Sequence, residues 1–102
     1  MKNPNTLKVV PSTASDVIEQ YGPKVKGMRA KSGIVVEEIS IHAAKRIVER
    51  KLSLELLEDL ILNASIIYPG NKPNTICQQK GNFRLVLSKS DGTVLSIVER
   101  LH

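Results

Sequence analysis

The chain has 102 residues, of which 41% are hydrophobic and 25% charged, as expected for one small globular domain. Its single Cys excludes an internal disulfide framework and a cysteine-ligated zinc site, and no apolar run approaches the roughly 18 residues of a membrane span. The net charge of +5 favours an anionic partner, whereas an aromatic content of only 3% argues against recognition by base stacking.

The first predicted element is a short helix over residues 12–21, which Gly22-Pro23 would end. A basic, irregular segment follows over residues 24–33, and the apolar run 34–36 predicts a short strand or a lead-in to the next helix. We therefore expect residues 1–33 to form an N-terminal helix and basic arm, and residues 34–102 to form the main domain, within one compact unit.

Two further helices are predicted in the middle of the chain, over residues 40–50 and 53–64. Ser40 and Ser53 are suitable N-caps for them. In the first of the two, an apolar stripe is expected on one face, formed by Ala43, Ala44, Ile47 and Val48.

From residue 66 onward the apolar period changes to two, which predicts strands over residues 66–68, 75–79, 83–88 and 93–99. A turn that places Gly92 in the left-handed region would pair Val86 with Ser96 and Arg84 with Val98. The core face would then carry Phe83, Leu85, Leu87, Leu95 and Ile97, and the open face Arg84, Val86, Ser88, Val94, Ser96 and Val98. The predicted fold class is α+β, with two or three N-terminal helices packed on a three- to four-stranded antiparallel sheet.

The strongest candidate chemistry is the spacing of His42, Arg46 and Glu49, which places all three on one helix face. Histidine suits proton transfer near neutral pH, and the arginine fork binds two phosphate oxygens. RNA cleavage by the 2′-hydroxyl needs this combination, and Arg84 and Ser96 on the open sheet face would add a second cation and a hydroxyl donor. The same residues also fit an ordinary solvated helix face with an Arg46–Glu49 pair.

Other candidates give weaker signals. Lys24, Lys26 and Arg29 form either a phosphate-binding arm or a solvated linker. Cys77 fits a small core residue better than a nucleophile. The two His residues do not cluster with carboxylates in the sequence, so we expect no metal and no other cofactor.

The segment ISIHAAKRIVERKLS, residues 39–53, resembles the opening S-x-H-A-x-x-R-x-x-E-R-x-I-S of a family of bacterial C-terminal toxin domains. The resemblance extends over about residues 39–98 and includes the later hairpin strands. Such domains end polymorphic toxins, including those of contact-dependent growth inhibition. They are grouped with the barnase, EndoU, colicin and RelE fold of metal-independent ribonucleases.

This resemblance implies helices followed by an antiparallel sheet, and an active centre formed by His42, Arg46, Arg84 and Ser96. His42 would be the general acid or base, the two arginines would bind the scissile phosphate, and Ser96 would donate a hydrogen bond. The family usually has Thr at the position of Ser96 and Gly at the position of Lys51. It also implies a cognate immunity protein, and some members need a host translation factor.

We therefore predict a monomeric toxic ribonuclease that cleaves tRNA. It would be delivered from the surface of a producer cell, or secreted, and would act in the cytoplasm of a target bacterium. Two alternatives remain open at this point: a toxin–antitoxin mRNA interferase, and a non-catalytic basic module that binds nucleic acid or protein.

Overall fold

The computed structural model describes residues 11–100, which form three helices and a five-stranded sheet. In chain order the elements are α1 (Ala14–Val25), β1 (Glu38–Ile39), α2 (Ile41–Arg50), α3 (Leu54–Leu62), β2 (Ile66–Pro69), β3 (Thr75–Lys80), β4 (Phe83–Ser88) and β5 (Thr93–Glu99). The predicted α+β class is confirmed. No helix in the described range is both long and apolar enough to cross a membrane.

The three helices begin at hydroxyl side chains. Thr13, Ser40 and Ser53 each accept a hydrogen bond from the backbone N–H three residues on, at 3.1, 3.0 and 3.1 Å. The prediction that α1 ends at Gly22-Pro23 was wrong, because the helix continues through Pro23 to Val25. Val25 is fully buried in the core, so its packing outweighs the local tendency of proline to end a helix.

The sheet has the strand order β1-β5-β4-β3-β2. Strands β2 to β5 form antiparallel neighbours, whereas β1 pairs parallel with β5. The sheet is therefore mixed and has one strand more than the upper end of the prediction. Residues 34–36 were candidates for this early strand, but Val35 makes only an isolated bridge with Arg29, and the paired segment is β1.

One face of the sheet packs against the helices and forms the core. Helix α1 contributes Val17, Tyr21 and Val25, all of them buried. The Tyr21 hydroxyl donates a hydrogen bond of 2.8 Å to the carbonyl of Leu52, at the joint between α2 and α3. Helix α1 and residues 34–100 therefore share one hydrophobic core.

The register predicted for the β4–β5 hairpin is confirmed, with Arg84 opposite Val98 and Val86 opposite Ser96. Gly92 has φ +73, as the turn requires. The next pair is Leu87 with Val94, so Leu95 has no partner on β4 and forms a β-bulge.

The bulge reverses the predicted faces of two residues. Val94 was expected on the open face and Leu95 in the core, but Val94 is fully buried in the core and Leu95 lines the open face. A period-two pattern assigns faces correctly only while every residue is paired, because each unpaired residue shifts the alternation by one. Ser88, also predicted on the open face, is 6% exposed and therefore buried.

Candidate functional site

A cleft of about 500 Å³ lies on the sheet face opposite the helical core. Its volume is within the range of about 300–1,000 Å³ found for small-molecule sites. Residues from α2, from the loop between β2 and β3, and from four strands line it: His42, Tyr68, Pro69, Gly70, Asn71, Lys72, Thr75, Cys77, Arg84, Val86, Leu95, Ser96 and Val98. The cleft therefore combines polar side chains from separate parts of the chain with an aliphatic floor.

Three of the four residues predicted as an active centre lie in this cleft. His42 comes from the first turn of α2, Arg84 from β4 and Ser96 from β5. His42 is exposed, and the other two are partly buried. The side chains of His42 and Ser96 make no hydrogen bond or ion pair within the described residues, so both are available to a ligand.

The start of α2 is fixed to the bulge of β5, and this connection places His42. The Ser40 backbone N–H donates to the Val94 carbonyl at 3.0 Å, and the Ser40 hydroxyl donates to the Leu95 carbonyl at 3.0 Å. The same hydroxyl accepts from the Ala43 N–H as the N-cap of the helix. One serine therefore begins the helix and attaches it to the strand that carries Ser96.

Arg84 is held within a polar cluster at the β2 side of the cleft. Its Nη1 donates to the Tyr68 hydroxyl at 3.4 Å, and that hydroxyl donates to Gln79 Oε1 at 3.0 Å. Arg100 also donates to Gln79 Oε1, at 3.0 Å. Arg84 Nε is buried and has no hydrogen-bond partner within the described residues. An anion bound in the cleft would supply acceptors for the accessible part of the guanidinium.

Lys72 also lines the cleft and was not predicted from the sequence. It is exposed in the loop between β2 and β3, where the Thr75 hydroxyl donates to the Lys72 carbonyl at 2.6 Å. Gly70 closes the same loop, and a Cβ there would collide with the Thr75 side chain. The sequence signal was only a basic residue after Pro69-Gly70, and nothing in that pattern shows which face the loop covers.

The charge of the cleft has one sign among the residues that the structure describes. Lys72 and Arg84 are cationic, His42 gains a positive charge when protonated, and no Asp or Glu lies in the lining. A concave site with cations and no carboxylate concentrates anions. Phosphate is therefore a suitable ligand chemistry for this cleft.

The remaining predicted residues lie outside the cleft lining. Arg46 Nη1 forms an ion pair of 3.1 Å with Glu49 Oε1, in which Arg46 is partly buried and Glu49 is exposed. Lys26 Nζ lies 3.8 Å from Glu37 Oε1, and the Arg29 side chain donates a hydrogen bond to the Gly33 carbonyl. Lys24, in the last turn of α1, is exposed.

Cys77 is buried, as predicted, but beneath the cleft and not in the core between sheet and helices. Burial raises the pKa of its thiol, and the charge of Arg84 opposes that rise only in part. A thiol with a raised pKa stays protonated at neutral pH and is a weak nucleophile.

Within residues 11–100, no group of three or more His, Cys, Asp and Glu side chains is arranged to hold a metal ion. Comparisons of the chain with protein-family models, with curated proteins and with solved structures found no match. The geometry and chemistry of the cleft are therefore the basis for inferring a function.

Proposed function

We propose that this chain is a toxic endoribonuclease that cleaves the RNA backbone by attack of a 2′-hydroxyl on the adjacent phosphate, with tRNA as its substrate. The observation that supports the proposal best is the convergence of His42, Arg84 and Ser96 in one cleft whose described lining has no carboxylate. These residues lie on α2, β4 and β5. The hairpin register predicts Arg84 and Ser96 on one sheet face, and the chemistry of RNA cleavage and the resemblance to toxin domains group His42 with them.

In the proposed reaction the 2′-oxygen bonds to phosphorus and the bond from phosphorus to the 5′-oxygen breaks. The products are a 2′,3′-cyclic phosphate and a 5′-hydroxyl. His42 either accepts the proton of the 2′-hydroxyl or donates a proton to the leaving 5′-oxygen, and water makes the other transfer, so that one proton leaves the 2′-oxygen and one reaches the 5′-oxygen. Imidazole is suited to either role near neutral pH. Arg84 and Lys72 bind the phosphate oxygens as negative charge develops, and Ser96 donates a hydrogen bond to one of them or positions the 2′-hydroxyl.

Arg46 requires a separate role because it lies outside the cleft lining. We propose that it binds a neighbouring phosphate of the RNA, one helical turn beyond His42. Its ion pair with Glu49 joins residues one helical turn apart and is worth only about 0.2–0.5 kcal/mol, so a phosphate would replace the carboxylate readily. Glu49 would then hold the Arg46 side chain through this ion pair in the free protein.

The proposed biological setting follows the resemblance to toxin domains. The chain would be delivered to a target bacterium, act there on tRNA, and be neutralised in the producer by a cognate immunity protein. An acidic immunity protein would complement the net charge of +5. A host translation factor that assists cleavage belongs to the same proposal.

The test is induction of the chain in bacteria, followed by measurement of growth and by electrophoresis of total RNA. We expect growth arrest with discrete tRNA fragments that carry a 2′,3′-cyclic phosphate. General acid–base catalysis contributes about 10²–10⁴-fold, so His42→Ala should lower cleavage by at least about 100-fold. Lys45→Ala removes an exposed charge from the same helix outside the cleft and should leave cleavage unchanged.

The alternatives give different results in the same experiment. Arrest with intact tRNA and cleaved mRNA would support an mRNA interferase. A folded protein that causes neither arrest nor cleavage would overturn both enzymatic interpretations and leave the basic binding module. Cleavage that persists in His42→Ala would contradict the proposed catalytic centre.

A further inference from the structure

One tyrosine ring lies in the cleft among the residues that the structure describes, besides the imidazole of His42. The chain has two Tyr, one Phe and no Trp: Tyr21 is buried in the core, Phe83 packs against the core, and Tyr68 lines the cleft. Tyr68 is partly buried on β2, so a portion of its surface remains accessible to a ligand. The low aromatic content of the chain therefore does not describe the cleft itself.

Hydrogen bonds restrain this ring at its hydroxyl end. The Tyr68 hydroxyl donates to Gln79 Oε1 at 3.0 Å and accepts from Arg84 Nη1 at 3.4 Å. A tyrosine held in this way loses little conformational freedom when a ligand packs on its ring. The contact with Arg84 also places the ring directly beside the group proposed to bind phosphate.

Aliphatic side chains continue the apolar surface from Tyr68 across the cleft. Val86, Leu95 and Val98 are partly buried and line the cleft together with the ring. Leu95 belongs to this surface because of the β-bulge. The cleft thus presents cations for an anionic group and, next to them, an apolar surface for a flat, weakly polar group. A nucleotide carries both groups on one molecule.

We propose that Tyr68 and the aliphatic residues Val86, Leu95 and Val98 form a subsite that binds one nucleobase of single-stranded RNA next to the phosphate held by Arg84. This inference rests on the proposed ribonuclease function and adds a determinant of substrate choice to it. A base must be unstacked from its neighbours to enter the cleft, so the preferred cleavage site lies in a loop or other single-stranded segment. Tyr68 acts here as a binding residue.

The test measures RNA binding by the His42→Ala protein, in which the cleft keeps Tyr68 but cleavage is suppressed. A short fluorescent single-stranded RNA is titrated, and the titration is repeated with an abasic nucleotide at each position in turn. Stacking of one base on an aromatic ring is worth a factor of about 5 to 150 in affinity. We expect one position, or two adjacent ones, to show a loss of that size, with small losses elsewhere.

Second substitutions in the His42→Ala protein then assign the loss to the ring. Tyr68→Leu should remove most of the loss of affinity that the abasic nucleotide causes, here called the abasic penalty. Tyr68→Phe, which keeps the ring, should retain this penalty. Phe83→Leu removes the ring that packs against the core and serves as the matched control, with the penalty unchanged. Because the penalty compares two RNAs on the same protein, a general loss of stability cancels.

The proposal is overturned if no position shows more than about a twofold loss, if the RNA does not bind, or if the penalty survives in Tyr68→Leu. Cleavage by the wild-type chain reports on the proposed function separately. An abasic penalty without any cleavage would reject the ribonuclease and keep the subsite. Cleavage without the penalty would reject the subsite alone.

Discussion

Substitution of Ser40 by Ala tests whether one hydroxyl both begins α2 and places His42 in the cleft. The Ser40 hydroxyl accepts from the Ala43 N–H and donates to the Leu95 carbonyl, each at 3.0 Å. The methyl group of Ala makes neither bond. Both backbone groups then lose their partner, and the helix is no longer attached to the bulge of β5 through this side chain.

The expected loss of stability is the sum of these two bonds. Loss of an N-cap hydroxyl costs typically about 1 kcal/mol. Leaving a partly buried carbonyl without its partner costs about 1 kcal/mol more, at the lower end of the range for buried groups. Ser40→Ala should therefore lower the free energy of unfolding by about 2 kcal/mol, which for a domain of this size corresponds to a fall in Tm of roughly 10 °C.

Ser53→Ala is the matched control. The Ser53 hydroxyl caps α3 through the Leu56 N–H at 3.1 Å and makes no second hydrogen bond within the described residues. Its loss should cost about 1 kcal/mol. Urea unfolding followed by circular dichroism measures both variants. RNA cleavage, measured well below either Tm, should fall about tenfold or more in Ser40→Ala and remain unchanged in Ser53→Ala, because small displacements of a catalytic group are costly. Equal stability losses, or equal activities, in the two variants would refute the reasoning.

Three further substitutions test the fold. Lys51 adopts the left-handed conformation at φ 54 and ψ 47, so Lys51→Gly should raise the free energy of unfolding by about 1 kcal/mol. A lower free energy of unfolding, measured in urea, would contradict this. Gln78 is fully buried, and its side chain forms hydrogen bonds with three backbone groups. Gln78→Leu should therefore lower the free energy of unfolding by at least about 2 kcal/mol in the same assay. An unchanged free energy of unfolding would contradict the importance of these three hydrogen bonds. Hydrogen bonds, the larger effect from Lys80 and the smaller from Asn63, lower the pKa of Asp59 below its ordinary 3.8. The ionised carboxylate therefore stabilises the fold above that pH, and this contribution is lost as the pH falls through the lowered pKa. Tm should therefore fall less between neutral pH and about pH 3 in Asp59→Asn than in the wild type. Parallel curves of Tm against pH for the two proteins would contradict the stabilising role of Asp59 and Lys80.

The parts of the fold that depend on local chemistry could be predicted from the sequence. Ser40 and Ser53 begin their helices because capping needs only a hydroxyl and the N–H three residues on. The hairpin register follows from alternation and from Gly92. The end of α1 depends on Val25 packing in the core, and β1 depends on pairing with a strand more than 50 residues later. Neither contact has a local signal, and both were missed.

The sequence predicted those residues of the candidate site whose side chains share one chemical role. His42, Arg84 and Ser96 lie in one cleft because the topology brings α2, β4 and β5 together. The hairpin register predicted that Arg84 and Ser96 share a face, and the chemistry of RNA cleavage and the resemblance grouped His42 with them. Arg46 was grouped with His42 by helical spacing, which identifies a face of a helix but not the surface that this face meets. Lys72 was missed because its loop has no regular period.

The bulge at Leu95 connects the stability of the fold with the chemistry of the cleft. Because Leu95 has no partner on β4, Val94 turns into the core and Leu95 turns into the cleft floor. The Leu95 carbonyl accepts a hydrogen bond from the Ser40 hydroxyl. Ser40 is the N-cap of α2, and His42 follows it by two residues. A sheet with unbroken alternation would bury Leu95, remove part of the surface proposed for the nucleobase and change the attachment of α2. One unpaired residue therefore determines both the position of the proposed acid–base group and the apolar floor beneath its substrate.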